Sequence, residues 1–344
     1  MSQNYGKIFL YQPEIPLFQS ATIINIKFSD LCLLKDKRIL IILDKAIIIL
    51  NQKTLKEIIT YNEKEDKIKN NFKNILNFNS YESNNIKYEN IIIFNSNEIF
   101  LYSISIINQI NFIDKIDIKE RIGKIKCFKL NILILSNNKT LIYKLFNKKF
   151  RFIKEISFQN EIIDIIQIND NDILIYLKKE QLLLLYNIIE EKEKNRLIVK
   201  HHGKYYNKFG MMKLINDKTL LIVIGNDLIL VDINKMKKIY GLYYFELPKN
   251  LREKSSSFNR YYRIAKTKEN NMTIKSIIKM KGSNYLGMSG KGHCFIVFNL
   301  YDSNYSFLNS NYYKTIDFNY MIKMSQKSFL CFKRPDKIAI FNII

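Results

Sequence analysis

The side chains from which this chain could build chemistry are few: three histidines, four cysteines and scattered carboxylates among 344 residues. His201 and His202 adjoin in Lys200-His201-His202-Gly203-Lys204-Tyr205-Tyr206, and His293 stands alone. A His-rich metal centre needs more ligands than these, and neither H-E-x-x-H nor a Gly-rich phosphate loop is present. Adjacent histidines on such a loop read as solvated. Gly290-Lys291-Gly292 has the composition of a phosphate cradle, but its place between two apolar runs reads as a β-turn. Asp164, Asp170 and Asp172 fall near a strand edge, with no motif that would make a general acid and base of them. The last two belong to Asn169-Asp170-Asn171-Asp172, an ordinary turn leading into a strand from Ile173. Cys32, Cys127, Cys294 and Cys331 are far apart and lack C-x-x-C spacing. They read as free thiols in a reducing compartment, cytoplasm or nucleus. The expectation is a non-catalytic chain with no metal site and no cofactor.

One segment has the makings of a binding element. Lys249, Arg252, Lys254, Arg260, Arg263, Lys266 and Lys268 stand against a single acid, Glu253, with Phe258, Tyr261 and Tyr262 interleaved. A guanidinium offers forked donors to phosphate or carboxylate, and an aromatic ring can stack on a base or on the guanidinium plane. Ser255-Ser256-Ser257 adds flexibility or a site for phosphorylation. Two readings stay open: an anion- or partner-binding loop, or a solvated loop of a lysine-rich protein. The Lys200–Lys208 segment could lie on the same face and enlarge the patch.

The whole chain carries a formal charge of +23, from 55 basic and 32 acidic residues, which suits an anionic partner. Yet only eight of the basic residues are arginine. Ile, Asn, Lys, Tyr and Phe are inflated while Trp is absent. That bias points to an AT-rich genome writing lysine onto a solvated surface, so the arginines are the better signal. Three of them lie in the segment just described.

These residues must be held by a fold, and the composition bounds it. At 47% hydrophobic and 25% charged the chain is globular, and its four prolines and ten glycines exclude a collagenous or proline-rich rod. No apolar run reaches the ~18 residues of a membrane helix. The longest, Ile39 to Leu50, is broken by Asp44 and Lys45. Met1 to Phe18 shows no secretory signal pattern.

Short apolar runs recur in pairs across tight turns. Examples are Ile91–Phe94 and Ile99–Tyr102 across Asn95-Ser96-Asn97, and Ile132–Leu135 and Leu141–Tyr143 across Ser136-Asn137-Asn138-Lys139. Asn, Asp and Gly accept φ > 0 at little cost, which makes these pairs hairpins. The second run of each pair ends in an apolar or aromatic residue followed by a polar one. Leu50-Asn51, Tyr102-Ser103, Tyr143-Lys144, Tyr186-Asn187, Val231-Asp232, Phe298-Asn299 and Phe341-Asn342 fill this place. Most intervals are 41–45 residues, and the two longer ones mark insertions near 61–87 and 246–272. Seven such repeats are a propeller period.

On these residues the chain resembles the WD40-like β-propeller, whose third strand in each blade ends in Trp-Asp. Ile26-Lys27-Phe28-Ser29-Asp30 and Ser289-Gly290-Lys291-Gly292-His293 are similar to that repeat's first strand and second hairpin. The resemblance implies an all-β, seven-bladed β-propeller over residues 1–344 as a single domain. Its ring would be closed by an N-terminal strand, Lys7–Tyr11, that completes the last blade, the first repeat beginning near Ala21. Eight blades and a solenoid of β-hairpins are the alternatives.

Function follows from this only by analogy. The first expectation is a protein-protein interaction scaffold in a multi-subunit complex. The second is an RNA-associated propeller in a ribonucleoprotein or ribosome-assembly particle. A third is a phosphoinositide-binding propeller of the autophagy type, which would give the chain a membrane partner. The paired-arginine motif of that family is replaced here by Arg260-Tyr261-Tyr262-Arg263.

Overall fold

The computed structural model describes residues 18–25, 27–43, 46–51, 56–62, 73–83, 85–200, 210–224, 227–242, 274–279, 285–290, 294–299, 305–308, 320–324, 328–333 and 337–343. Their regular elements are all β-strands, numbered along the chain from β1 (Phe18–Asn25). The chain forms two compact units. One is Ile26–Ile198 with Arg334–Asp336, and the other is Met1–Asn25 with Val199–Lys333 and Lys337–Ile344.

The Ile26–Ile198 unit holds four sheets, each a four-stranded antiparallel meander in chain order. The first is β2 (Asp30–Leu33), β3 (Ile39–Ile42), β4 (Ala46–Leu50) and β5 (Glu57–Asn62). The second is β6 (Asn74–Ser83), β7 (Ile86–Phe94), β8 (Glu98–Ser105) and β9 (Ile110–Asp117). The third is β10 (Lys124–Phe128), β11 (Asn131–Ser136), β12 (Lys139–Phe146) and β13 (Lys149–Ser157). The fourth is β14 (Ile162–Gln167), β15 (Asp172–Leu177), β16 (Leu182–Asn187) and β17 (Lys192–Ile198).

The second strand of each sheet carries an unbroken apolar run because both its faces are covered. Ile91 and Ile93 pack with Leu40, Ile42, Ile47 and Ile49 of the β2–β5 sheet. Ile92 and Phe94 point the other way, as period-2 geometry requires, and join Ile132 and Ile134 of the β10–β13 sheet. Leu133 and Leu135 in turn meet Ile165, Ile173 and Ile175 of the β14–β17 sheet. Each fully buried Ile or Leu contributes about 1.5–3 kcal/mol, which a lone sheet could not collect.

Buried or half-buried carboxylates tie neighbouring sheets. Asp30 accepts from the backbone N–H of Ile75 at 3.1 Å. Glu89 accepts from the N–H of Lys35 and from Asn77 Nδ2, both at 2.8 Å. Asp114 accepts from the N–H of Phe150 at 2.8 Å. The bonds from Ile75, Lys35 and Phe150 each satisfy a backbone donor at a sheet edge or turn that packing would otherwise strand.

The apolar residue before the polar one in the third strand sits at a β-bulge in five sheets. The register with the fourth strand shifts at Ile49/Leu50, Leu101/Tyr102, Ile142/Tyr143, Leu185/Tyr186 and Leu230/Val231. Tyr102, where the resemblance puts Trp, is fully buried and takes Tyr61 and Phe112 edge-on at 6.4 and 5.7 Å. Tyr143 meets Phe152 in the same way at 5.3 Å. Asn187, Asp232 and Asn299 end their strands as the repeat expects, whereas β8 and β12 run two residues beyond Ser103 and Lys144.

The other unit holds three sheets. Its first is β18 (Gly210–Asn216), β19 (Thr219–Ile224), β20 (Asp227–Asp232) and β21 (Lys237–Leu242). Its second is β22 (Ile274–Lys279), β23 (Tyr285–Gly290), β24 (Cys294–Asn299) and β25 (Tyr305–Leu308). The last joins β26 (Tyr320–Lys323), β27 (Ser328–Lys333) and β28 (Lys337–Ile343) to β1, in the order β1-β28-β27-β26.

An N-terminal strand therefore does complete the last sheet, but it is Phe18–Asn25, paired from Phe18↔Ile343 to Asn25↔Lys337. Ala21, expected to open the first repeat, lies inside this strand opposite Phe341, and the first meander starts at Asp30. The β-branched run Thr22-Ile23-Ile24 gives the segment its strand character. Lys7–Tyr11 lies outside the described residues. Within 61–87, residues 74–83 are strand, and β6 and β7 pair as far as Ser83↔Ile86 with Tyr81 stacked on Tyr88 at 5.1 Å. The span 246–272 lies outside the described residues.

Candidate functional site

The basic loop of the sequence reading lies outside the described residues, and with it Lys249, Arg252, Lys254, Arg260, Tyr261, Tyr262, Arg263, Lys266 and Lys268. The same holds for 201–208, with His201 and His202, and for His293.

Among the acidic candidates, Asp164 lies on β14, the first strand in its sheet's order, where the register with β15 shifts between Ile162 and Asp164. It is fully buried within β14, opposite Tyr176, because packing of the β10–β13 and β14–β17 sheets covers it. Lys124 Nζ lies 3.1 Å from its Oδ1 and Lys126 Nζ 3.2 Å from its Oδ2, while the N–H of Ile165 donates to Oδ1 at 3.0 Å. Burial pushes the Lys124 ammonium below its ordinary value, with the Asp164 carboxylate opposing. Asp170 and Asp172 stand where the turn places them. Asn169 Oδ1 accepts from the N–H groups of Asn171 and Asp172, both at 2.8 Å, which is an Asx turn. Asp170 pairs with Lys129 at 2.8 Å and Asp172 with Lys194 at 2.8 Å. Cys32 and Cys127 are free thiols. Burial raises both, Cys127 to about 12, so neither is a thiolate at neutral pH.

The ends of the Ile26–Ile198 unit differ in charge balance. At the end carrying the β7–β8, β11–β12 and β15–β16 turns, lysines sit among carboxylates. Lys115 pairs with Glu98 at 2.6 Å and Lys178 with Glu161 at 2.6 Å. Lys139 lies 2.9 Å from both Glu155 and Glu120, which hold its ammonium above the ordinary value.

The opposite end, with the β10–β11 and β12–β13 turns, has an uncompensated element. Its sequence runs Lys144-Leu145-Phe146-Asn147-Lys148-Lys149-Phe150-Arg151-Phe152-Ile153-Lys154, without an acid. Lys144 is opposite Arg151 and Phe146 opposite Lys149, so these four share one face of the hairpin. Asn147 and Lys148 form the turn with φ of 49° and 62°. Arg151 lies over the Phe146 ring, 4.5 Å from its centroid, and the ring is still 49% exposed. Leu130, 42% exposed, adjoins the tip, where its carbonyl accepts from the N–H of Leu145 at 2.8 Å. Lys154, farther along β13, pairs with Glu191 at 2.6 Å. Lys144, Lys148, Lys149 and Arg151 form no ion pair among the described residues. The hairpin thus presents four cations with no described carboxylate partner beside exposed apolar side chains, an arrangement suited to binding. The acid-free run with alternate aromatics is present in the sequence, where its lysines do not stand out among so many others.

No family model and no curated protein matches the chain. Its structure is similar to a chain in a crystal structure of the mitotic checkpoint complex. The TM-score is 0.59 at 7% sequence identity, over 100% of this chain and 97% of that one. A likeness at that identity is one of fold, and the four-stranded antiparallel sheets fit a propeller.

Proposed function

We propose that this protein is a non-catalytic propeller whose seven sheets are blades closed into a ring through β1, and that it serves as a protein-interaction scaffold in a larger assembly. The carrying observation is the repeated four-stranded meander completed by β1 in its last sheet. The likeness to a subunit of a multi-protein complex, spanning the whole of this chain, supports it. Such a fold stabilises itself through stacked sheet faces and leaves its turns and outer strands for contacts.

The test is affinity purification of the full chain from native lysate at low and high salt, with and without RNase, followed by identification of what co-purifies. The scaffold reading expects protein partners that resist both treatments. Partners lost with RNase or salt would transfer the assignment to a ribonucleoprotein component, with Arg252, Arg260 and Arg263 as the first residues to substitute.

A further inference from the structure

We propose that the tip of the β12–β13 hairpin, with Leu130 beside it, docks an acidic protein segment that carries apolar side chains. This rests on the scaffold reading and names one surface and one partner chemistry for it. Lys144, Lys148, Lys149 and Arg151 supply the charge. None of them has a described carboxylate partner, whereas Lys115, Lys139 and Lys178 at the opposite end of the unit are paired. Cations left free on an ordered hairpin keep their attraction for an incoming anion instead of spending it internally. The acids of the adjoining β16–β17 turn do not compete for them. Glu190 is bound to Lys192 at 2.7 Å and Glu191 to Lys154 at 2.6 Å.

The apolar groups decide between a peptide and a nucleic acid. Phe146 has one face covered by the Arg151 guanidinium, and exposed aliphatic Leu130 is tied to the next residue back, its carbonyl accepting from the N–H of Leu145. A base-binding platform stacks successive bases on several aromatic faces, whereas Phe146 is the one aromatic ring among the four residues of this hairpin face and Arg151 takes one side of it. Aliphatic and edge-on aromatic surface instead suits Leu, Ile or Phe side chains between carboxylates. A second copy of this chain is a poor occupant, since each copy carries +23 and its own copy of this basic surface.

The experiment selects on the full-length protein from a display library of 12-residue peptides built from Asp, Glu, Leu, Ile, Phe and Ser. Enriched sequences are then titrated as labelled peptides in ~150 mM salt. The expected result is enrichment of peptides with several acids and at least two apolar residues. Binding should fall at least tenfold in the combined variant K148E/K149E/R151E and at least fivefold in Phe146→Ser. It should be unchanged in Lys179→Glu, a charge reversal in the β15–β16 turn. These side chains are exposed, and unchanged circular dichroism and urea midpoints confirm that the variants fold. The proposal is overturned by no enrichment, or by binders indifferent to the hairpin variants. It is also overturned if a 12-residue oligoglutamate binds as tightly as the selected peptides, or if 20-nucleotide oligo(U) binds the hairpin more tightly than they do. Cellular partners retained by K148E/K149E/R151E would remove this surface while leaving the scaffold reading in place.

Discussion

Asp164 combines burial, two ammonium partners and a backbone donor, a set of features that also marks catalytic carboxylates. Its bonds run to Lys124 and Lys126 on β10, so its work is to hold β14 against the neighbouring sheet. A buried carboxylate keeps its charge only while a partner offsets its lost hydration. Lys124→Met alone leaves Lys126 in place and is expected to cost about 1 kcal/mol, whereas K124M/K126M should cost about 3–5 kcal/mol. Adding Asp164→Leu to the double variant should recover most of that loss, as read from urea unfolding by circular dichroism. A double variant no worse than the single one would show the carboxylate to be hydrated instead. Asp172 provides a pH test. Burial alone would raise its carboxyl, but Lys194, Asn169 and Asn187 together hold it below the ordinary value. A depressed carboxyl contributes stability that is full above its unfolded value of about 3.9 and lost as pH falls through the folded value. Asp172→Asn should therefore be less stable than the parent by about 1–2 kcal/mol at pH 7, a gap that narrows below pH ~4. A gap constant between pH 7 and pH 3 would contradict this assignment.

At the scale of elements, the turns show how far side-chain type reveals backbone need. Asn137 adopts φ of 53° between β11 and β12, and its identity announced the turn, since Asn tolerates the left-handed region. Gln181, before β16, has the same φ of 53°, but nothing about glutamine signals it. Gln181→Gly should stabilise the protein by about 0.5–1 kcal/mol by relieving the Cβ clash, and Gln181→Val should cost about 1 kcal/mol. Matching thermal melts check both, and a destabilising glycine would mean that the side chain contributes more than the strain costs. The same contrast explains what was legible overall. Hairpin pairs were readable because apolar runs and Asn-rich turns alternate, and the 41–45-residue period followed from them. The bulges were not, although the extra residue is isoleucine in four of the five (Ile58, Ile113, Ile153 and Ile239, with Lys194 in the other), because isoleucine is so frequent in this chain that one more does not mark a position. The pairing of Asp164 was not legible because its lysine partners stand 38 and 40 residues away. The β12–β13 surface escaped notice because its lysines are unremarkable in a lysine-rich chain until their lack of partners is seen.

For the whole molecule, the decisive feature is that the first described strand and the last share one sheet. Without β1, β28 becomes an edge strand with unpaired backbone groups, and the β26–β28 sheet loses a quarter of its strands. Sequence-distant strands that must meet are coupled by the chain between them, so local opening at either end is tied to the other. The register makes this testable, since Thr22 faces Ile340 while Ala339 faces Ile23. With the native cysteines replaced by alanine, T22C/I340C should oxidise to an intramolecular disulfide, because directly opposed strand residues have Cα atoms within disulfide range. The bond should migrate as a compact species on non-reducing gels and stabilise the protein by about 3–5 kcal/mol over its reduced form. The control T22C/A339C joins residues that period-2 geometry points to opposite faces of the sheet, so it should remain reduced under the same oxidant. Equal oxidation of the two pairs would mean that β1 slides against β28, and a strand free to slide could not serve as the latch of a closed ring.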